Sequence, residues 1–246
     1  MRICYHEIHP ESFCPVGLRA ALEKLLNEAK RPGTEVEVRF PHEYFGGTGV
    51  GSNGFNVDYI ECIKQAEAEG FDAVVLGCFA DPGLQEAKRV CGIPVVGPAE
   101  STMFWANMLG AKYAIAAFPA PGTRNLMERH IDQYGFRGKA IWNPVRFVAY
   151  PERDLWKIGD GMDATPMVES FAQVSRQAVE DGAEVIILGC TCTSLIHQRL
   201  VQAIGEVGAP VLSPPQAGLK TAEVLVDFKR NMGFYISRVG TFFQES

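Results

Sequence analysis

The chain has 246 residues, 47% apolar and 21% charged, a globular balance that excludes wholesale disorder. A net charge of −6, from 23 Lys+Arg against 29 Asp+Glu, leaves no electrostatic footprint for nucleic acid. No apolar run reaches the ~20 residues that cross a bilayer, and MRICYHEIHPES lacks the apolar stretch of a signal peptide, so a cytoplasmic protein with neither membrane nor nucleic-acid partners is expected.

In chain order, short β-rich runs alternate with amphipathic stretches. Residues 3–5 open as a strand. Residues 16–29 read as a helix with Leu18, Leu22, Leu25, Leu26 and Ala29 on one face. Pro32-Gly33 breaks it, and Val36, Val38 and Phe40 alternate as a strand. A helix over 57–69 ends near Gly70. FDAVVLG (71–77) is the continuous apolar run of a buried parallel strand. Helix 82–90, strand 94–96 and helix 98–109 follow. The pattern then restarts: strand 112–118, helix 122–134, strand 140–148, and helix 166–180 with Met167, Phe171, Val174 and Ala178 on one stripe. Strand 185–189, helix 194–204, strand 211–212 and helix 214–230 complete it. The tail from Gly233 reads as an edge strand or an interaction segment. Alternation of this kind predicts an α/β protein with parallel sheets.

The restart is an internal duplication. EAEGFDAVVLGC (67–78) lies over VEDGAEVIILGC (179–190), so Cys78 corresponds to Cys190 and 190 − 78 = 112. The same shift sets Gly70 on Gly182, Gly77 on Gly189 and Ile3 on Ile115. Four residues later in shift, VVGPAE (95–100) lies over VLSPPQ (211–216). The expectation is two pseudo-symmetric domains, each a parallel sheet flanked by helices, with the two Cys-bearing strand ends opposed. Ligands of open α/β sheets bind at such carboxyl ends.

Seven cysteines in a chain without an export signal read as thiols. Asp81 is the expected N-cap of the helix after Cys78, with Pro82 its first residue, and Thr193 takes the equivalent place after Cys190. A helix N-terminus lowers a thiol pKa from about 8.5 and offers amides to a substrate oxygen. Opposed thiols suit removal of a proton beside a carbonyl and its return to the other face. Backbone amides of Phe79, Ala80, Thr191 and Cys192 would hold the carbonyl oxygens. No metal or organic cofactor is required.

These residues resemble the aspartate/glutamate/hydantoin racemase superfamily over essentially the whole chain. Cys78-Phe79-Ala80-Asp81-Pro82-Gly83-Leu84 resembles the CFxDPGL motif of hydantoin and allantoin racemases, Gly97-Pro98-Ala99-Glu100 their GxxE segment, and Ser237 to Phe242 their C-terminal tail. The resemblance implies Cys78 and Cys190 as the two bases. It implies domains of 1–96 with 214–246 and of 97–213, their last helices exchanged. It implies a small-molecule substrate, a 5-substituted hydantoin or related ureide, and a homo-oligomer. Where those racemases carry Asn-Pro-Asn-Thr, this chain has His9-Pro10-Glu11-Ser12; Glu11 there would favour a cationic or hydrogen-bond-donating ligand. Thr191-Cys192-Thr193 is closer to amino-acid racemases. Pro10, Glu11, Ser12, Glu100 and Thr123 join the expected pocket, with Ser101, Thr102 and Arg124 as further candidates.

Other readings stay open: an amino-acid racemase, a lyase or cis–trans isomerase using one Cys, or a non-catalytic thiol-bearing binding protein. Gly46 to Gly54 reads as a flap or a plain loop. Cys190, Cys192 and His197 lack usual metal-site spacing. Leu84 and Ile196 stand where a phosphatase-type Cys would need Arg. Ser213-Pro214-Pro215-Gln216 has the pattern of a capping box. Cys4, Cys62 and Cys91 read as packing residues and Cys14 is unassigned; Trp105, Trp142 and Trp156 read as core or subunit contacts.

Overall fold

The computed structural model describes residues 1–42 and 53–242; the glycine-rich 46–52 stretch lies outside them. The first half runs β1 (Arg2–His6), α1 (Leu18–Ala29), β2 (Glu35–Arg39), α2 (Asn53–Ala68), β3 (Ala73–Leu76), α3 (Leu84–Val90), β4 (Val95–Val96) and α4 (Pro98–Leu109). The second runs β5 (Tyr113–Ala117), α5 (Thr123–Gln133), β6 (Ala140–Phe147), α6 (Asp154–Gly159), α7 (Thr165–Glu180), β7 (Val185–Leu188), α8 (His197–Gly205), β8 (Val211–Leu212) and α9 (Pro214–Met232). Two four-stranded sheets result, ordered β2-β1-β3-β4 and β6-β5-β7-β8, with every described pair parallel. The duplicated sequence is thus a duplicated topology.

The apolar runs alternate between two cores, as a pleated strand requires. On β3, Val74 and Leu76 pack with Tyr59 and Ile63 of α2, while Ala73 and Val75 face Leu18 and Leu22 of α1. On β7, Ile186 and Leu188 meet Phe171 and Leu200, while Val185 and Ile187 meet Met103 and Met127. The last helix of each half crosses over. Ala99, Met103 and Ala106 of α4 pack on Ile115 and Ile187 of the second sheet. Leu219, Ala222 and Val226 of α9 pack on Ile3, Tyr5 and Val75 of the first. Gly218 permits that approach, since a Cβ there would stand 2.6 Å from Val75 Cγ1.

Several local expectations change. β1 pairs Ile3 with Ala73, and β5 pairs Tyr113 with Val185. Because Ala73 and Val185 are equivalent, Ile3 corresponds to Tyr113 and not to Ile115. A slip of two residues keeps each side chain on its own face, so the apolar pattern alone could not detect it. The helix expected from Pro82 starts at Leu84, after a left-handed Gly83. Residues 191–196 form a 3₁₀ helix before α8 begins. Ser213 occupies the N-cap of α9 without a side-chain capping bond. No strand forms in the described tail, 233–242. Arg238 instead donates to the carbonyls of Lys88, Arg89 and Cys91 at the end of α3, at 3.3, 3.2 and 2.8 Å, where a cation satisfies orphan carbonyls and opposes the helix dipole. α6 had no sequence signal, because 150–163 is polar and carries no periodic stripe.

Candidate active site

Cys78 and Cys190 follow equivalent central strands, each after a glycine, and both line one cleft of about 380 Å³ between the two halves, within the range of small-molecule sites. The strand ends are tied directly: Thr191 Oγ1 donates to the Gly77 carbonyl at 2.8 Å. Trp156 lines the cleft and donates from Nε1 to the Phe13 carbonyl at 3.1 Å, linking α6 to the loop after β1.

The loop after Cys78 is built differently from a local helix start. Asp81 has φ 45°, and its carboxylate accepts from the amides of Ala99 and Glu100, at 3.0 and 2.9 Å, and from the Tyr134 hydroxyl at 2.7 Å. It therefore caps α4, across the turn, and not α3. The Ala80 amide donates to Cys78 Sγ at 3.4 Å. Cys190 is the N-cap of the 191–196 3₁₀ helix, and its thiol donates to Glu152 Oε1 at 3.0 Å.

The expectation of lowered thiol pKa values is corrected. Burial holds Cys78 well above the ordinary thiol range, outweighing the Ala80 amide. Hydrogen bonding with Cys192, then burial and the Glu152 charge, hold Cys190 up as well. The Cys190 hydrogen bond, the largest single influence, lowers Cys192, but burial together with the charges of Glu7, Glu152 and Cys14 outweighs it and leaves the thiol at about 11. Two carboxyls, Glu7 and Glu152, line the cleft, and among the described residues no lysine or arginine does. Desolvation without a counter-charge favours the neutral thiol.

Of the expected pocket residues, Phe79, Ala80, Thr123, Thr191 and Cys192 line the cleft. The Phe79 ring is buried in the core beneath the second sheet, beside Met103 and Met127. Pro10, Glu11 and Ser12 are not among the lining residues; Ile8, His9, Phe13 and Cys14 of the same loop are. Glu11 points to solvent because Arg19 holds it, Nε to Oε1 at 2.7 Å. Glu100 lines a separate groove beside α9 and pairs with Lys88 at 2.5 Å. Ser101 lines that groove too, and Thr102 Oγ1 is spent on the Pro98 carbonyl at 2.8 Å. Arg124 is engaged by Asn143 Oδ1 at 2.6 Å and lies over the Phe147 ring. Trp142 is 93% exposed and so no core residue. Sequence reasoning missed Glu7 and Glu152: both look like ordinary acidic residues, and only the tertiary fold turns them inward.

Glu7 is 2% exposed, and its Oε1 has no hydrogen-bond partner. Burial raises its pKa to about 8, and that of Asp81 to about 7. Raised carboxyls stabilise the fold while neutral, and that stability is lost as pH rises through about 7 and about 8. Glu7→Gln is therefore expected to raise stability by roughly 1–4 kcal/mol at pH 9 and by little at pH 5. Thermal melts at both values check this; an equal gain at both would remove ionisation as the cause.

The Asp/Glu/Hydantoin racemase family model matches residues 48–222. The chain is 37% identical over 169 residues to a hydantoin racemase of Pseudomonas sp. strain NS671, covering 68% of this chain and 64% of that protein's length. It is 30% identical over 185 residues to a hydantoin racemase of Paenarthrobacter aurescens, covering 74% and 72%. The solved allantoin racemase from Klebsiella pneumoniae shares the fold, with TM-score 0.81 and 24% identity over 100% of this chain and 94% of that one. No helix among the described residues is long and apolar enough to cross a membrane. The duplicated topology, the paired strand-end thiols and the extent of these matches agree: the chain belongs to the Asp/Glu/hydantoin racemase family, and so to the racemase class of isomerase enzymes.

Proposed function

We propose that the protein racemises 5-substituted hydantoins or related ureides without a cofactor, Cys78 and Cys190 exchanging protons with opposite faces of the stereocentre. The observation that carries this reading is the pair of thiols at equivalent strand ends on one cleft. One thiolate takes the proton beside the carbonyl and the opposing thiol returns one. Backbone amides of Phe79, Ala80, Thr191 and Cys192 hold the enolate oxygen, the Ala80 amide turning to it from Cys78 Sγ. Glu152, already bonded to Cys190 Sγ, receives the Cys190 proton when that thiol becomes the base. The reading divides the chain into 1–96 with 214–246 and 97–213, in keeping with the exchanged helices α4 and α9. It takes the enzyme to be a homo-oligomer, supported by Phe104 and Met108 of α4, 46% and 65% exposed; a solution mass equal to one chain would remove that part.

Substrate charge discriminates this reading from an amino-acid racemase. A free α-amino acid brings a carboxylate, and the cleft offers it two carboxyls and no lysine or arginine among the described residues. A neutral ring with carbonyl and N–H groups meets no such penalty. Single enantiomers of hydantoins and of amino acids, incubated with the enzyme in D2O, test this. Deuterium at the stereocentre and loss of optical rotation are expected with hydantoins alone. Absence of both with every hydantoin would end the reading.

The raised thiols also set the pH profile. One thiol must be thiolate and the other protonated, so kcat/KM is expected to climb beyond the ordinary thiol range near 8.5 and to fall again only where the second thiol also ionises. A plateau reached below pH 7 would show that neither thiol is the base.

A further inference from the structure

The cleft holds more donors than two-thiol proton transfer needs. Cys190 Sγ, Cys192 Sγ and a Glu152 carboxylate oxygen all lie within 4.8 Å of one another, and Cys190 Sγ to Glu152 Oε1 is the 3.0 Å hydrogen bond. Two of these ligands come from one tight turn and the third from the loop before α6. His197, grouped with Cys190 and Cys192 in the sequence, starts α8 and is not a member of the cluster; Glu152, 38 residues before Cys190, takes its place.

We propose that Glu152, Cys190 and Cys192 form a binding site for a thiophilic divalent cation of the zinc type, whose occupancy removes Cys190 from proton transfer. The first part stands on the cluster alone; the second rests on the racemase reading. Tetrahedral zinc takes thiolate sulfur at about 2.3 Å and carboxylate oxygen at about 2.0–2.2 Å, so its ligands stand roughly 3.5–4 Å apart. The cluster needs only small side-chain rotations to reach that spacing. Three protein ligands leave the fourth position to water. Binding exchanges two thiol protons, released to solvent, for one cation, with no change of oxidation state. The described lining contains no lysine or arginine to oppose that charge. Because two protons leave, affinity should rise up to ~100-fold per pH unit while both thiols are protonated.

Cobalt(II) titration of the reduced, full-length protein tests the site directly. One equivalent with a sulfur-to-cobalt charge-transfer band is expected, displaced by zinc. Cys192→Ser should roughly halve the band and weaken binding at least ~10-fold, as should Glu152→Gln for affinity, since even outer-sphere partners of a metal are worth that much. Cys78→Ser should leave the spectrum unaltered. Independently of any variant's folding, zinc should slow alkylation of Cys190 and Cys192 in the unsubstituted protein without changing that of its other thiols. Racemisation should fall in step with occupancy and return with a chelator. No sulfur band at one equivalent would overturn the site, and so would a band lost in Cys78→Ser but kept in Cys192→Ser. Binding as described in a protein that racemises nothing would end the functional reading and leave the site standing.

Discussion

Cys78→Ser and Cys190→Ser are each expected to lower racemisation by about three orders of magnitude or more, and to split the two enantiomers between them. A positioned proton-transfer group contributes roughly 10²–10⁴-fold, and a serine hydroxyl is too weak an acid to replace a thiolate. The two thiols end equivalent strands of opposite sheets, β3 and β7, on one cleft. On the proposed mechanism each faces its own side of a bound stereocentre. With Cys78 replaced, the enantiomer whose proton faces Cys190 can still be ionised and reprotonated from the same side. It exchanges deuterium without inverting, and its mirror image does neither. Cys190→Ser should reverse the assignment. Proton NMR in D2O on each pure enantiomer reads both outcomes. Exchange of the same enantiomer by both variants would leave a single base, and full racemisation by either would remove that thiol from the mechanism.

The thiol pair was legible because duplication marks it twice: the same LGC ends two apolar runs, at 76–78 and 188–190. Alternation of strand and helix likewise carried the fold class, since apolar patterning needs no tertiary knowledge. The partners of the thiols were not legible. Glu152 meets Cys190 from 38 residues away, out of a segment with no periodicity. Asp81 has the local chemistry of an N-cap for the following helix, yet its carboxylate serves amides 18 and 19 residues ahead. In both cases a side chain with a plausible local role is claimed by a stronger tertiary one. The thiol pKa values failed for a related reason. A strand end before a helical turn suggests stabilised anions, whereas burial outweighs the Ala80 amide at Cys78, and hydrogen bonding with Cys192, then burial and the Glu152 charge, raise Cys190.

Gly77→Ala should damage the enzyme far more than Gly189→Ala, although the two glycines are equivalent by sequence. A Cβ on Gly77 would stand 2.5 Å from Glu7 Cα and 2.7 Å from the His6 carbonyl oxygen. Both are backbone atoms of the chain leaving β1, and that carbonyl already accepts from the Gly77 amide at 2.8 Å. Neither can rotate away, so the strand ends must separate, at the residue before Cys78 and at the point where Glu7 enters the cleft. A Cβ on Gly189 would meet Ile115 Cγ2 and Met127 Cε at 2.9 Å and Ala117 Cβ at 3.0 Å. These are side chains, and the Met127 end is flexible enough to yield. Overpacking of the first kind costs about 3 kcal/mol, and a displacement near 1 Å at a reacting group costs ~10²-fold in rate. Gly189→Ala should cost about 1 kcal/mol and less than ~10-fold. Chemical denaturation and kcat/KM measured on both variants decide it. Equal losses would mean that the two strand ends are packed alike, and that the close approach of β3 to the end of β1 does not set the position of Cys78.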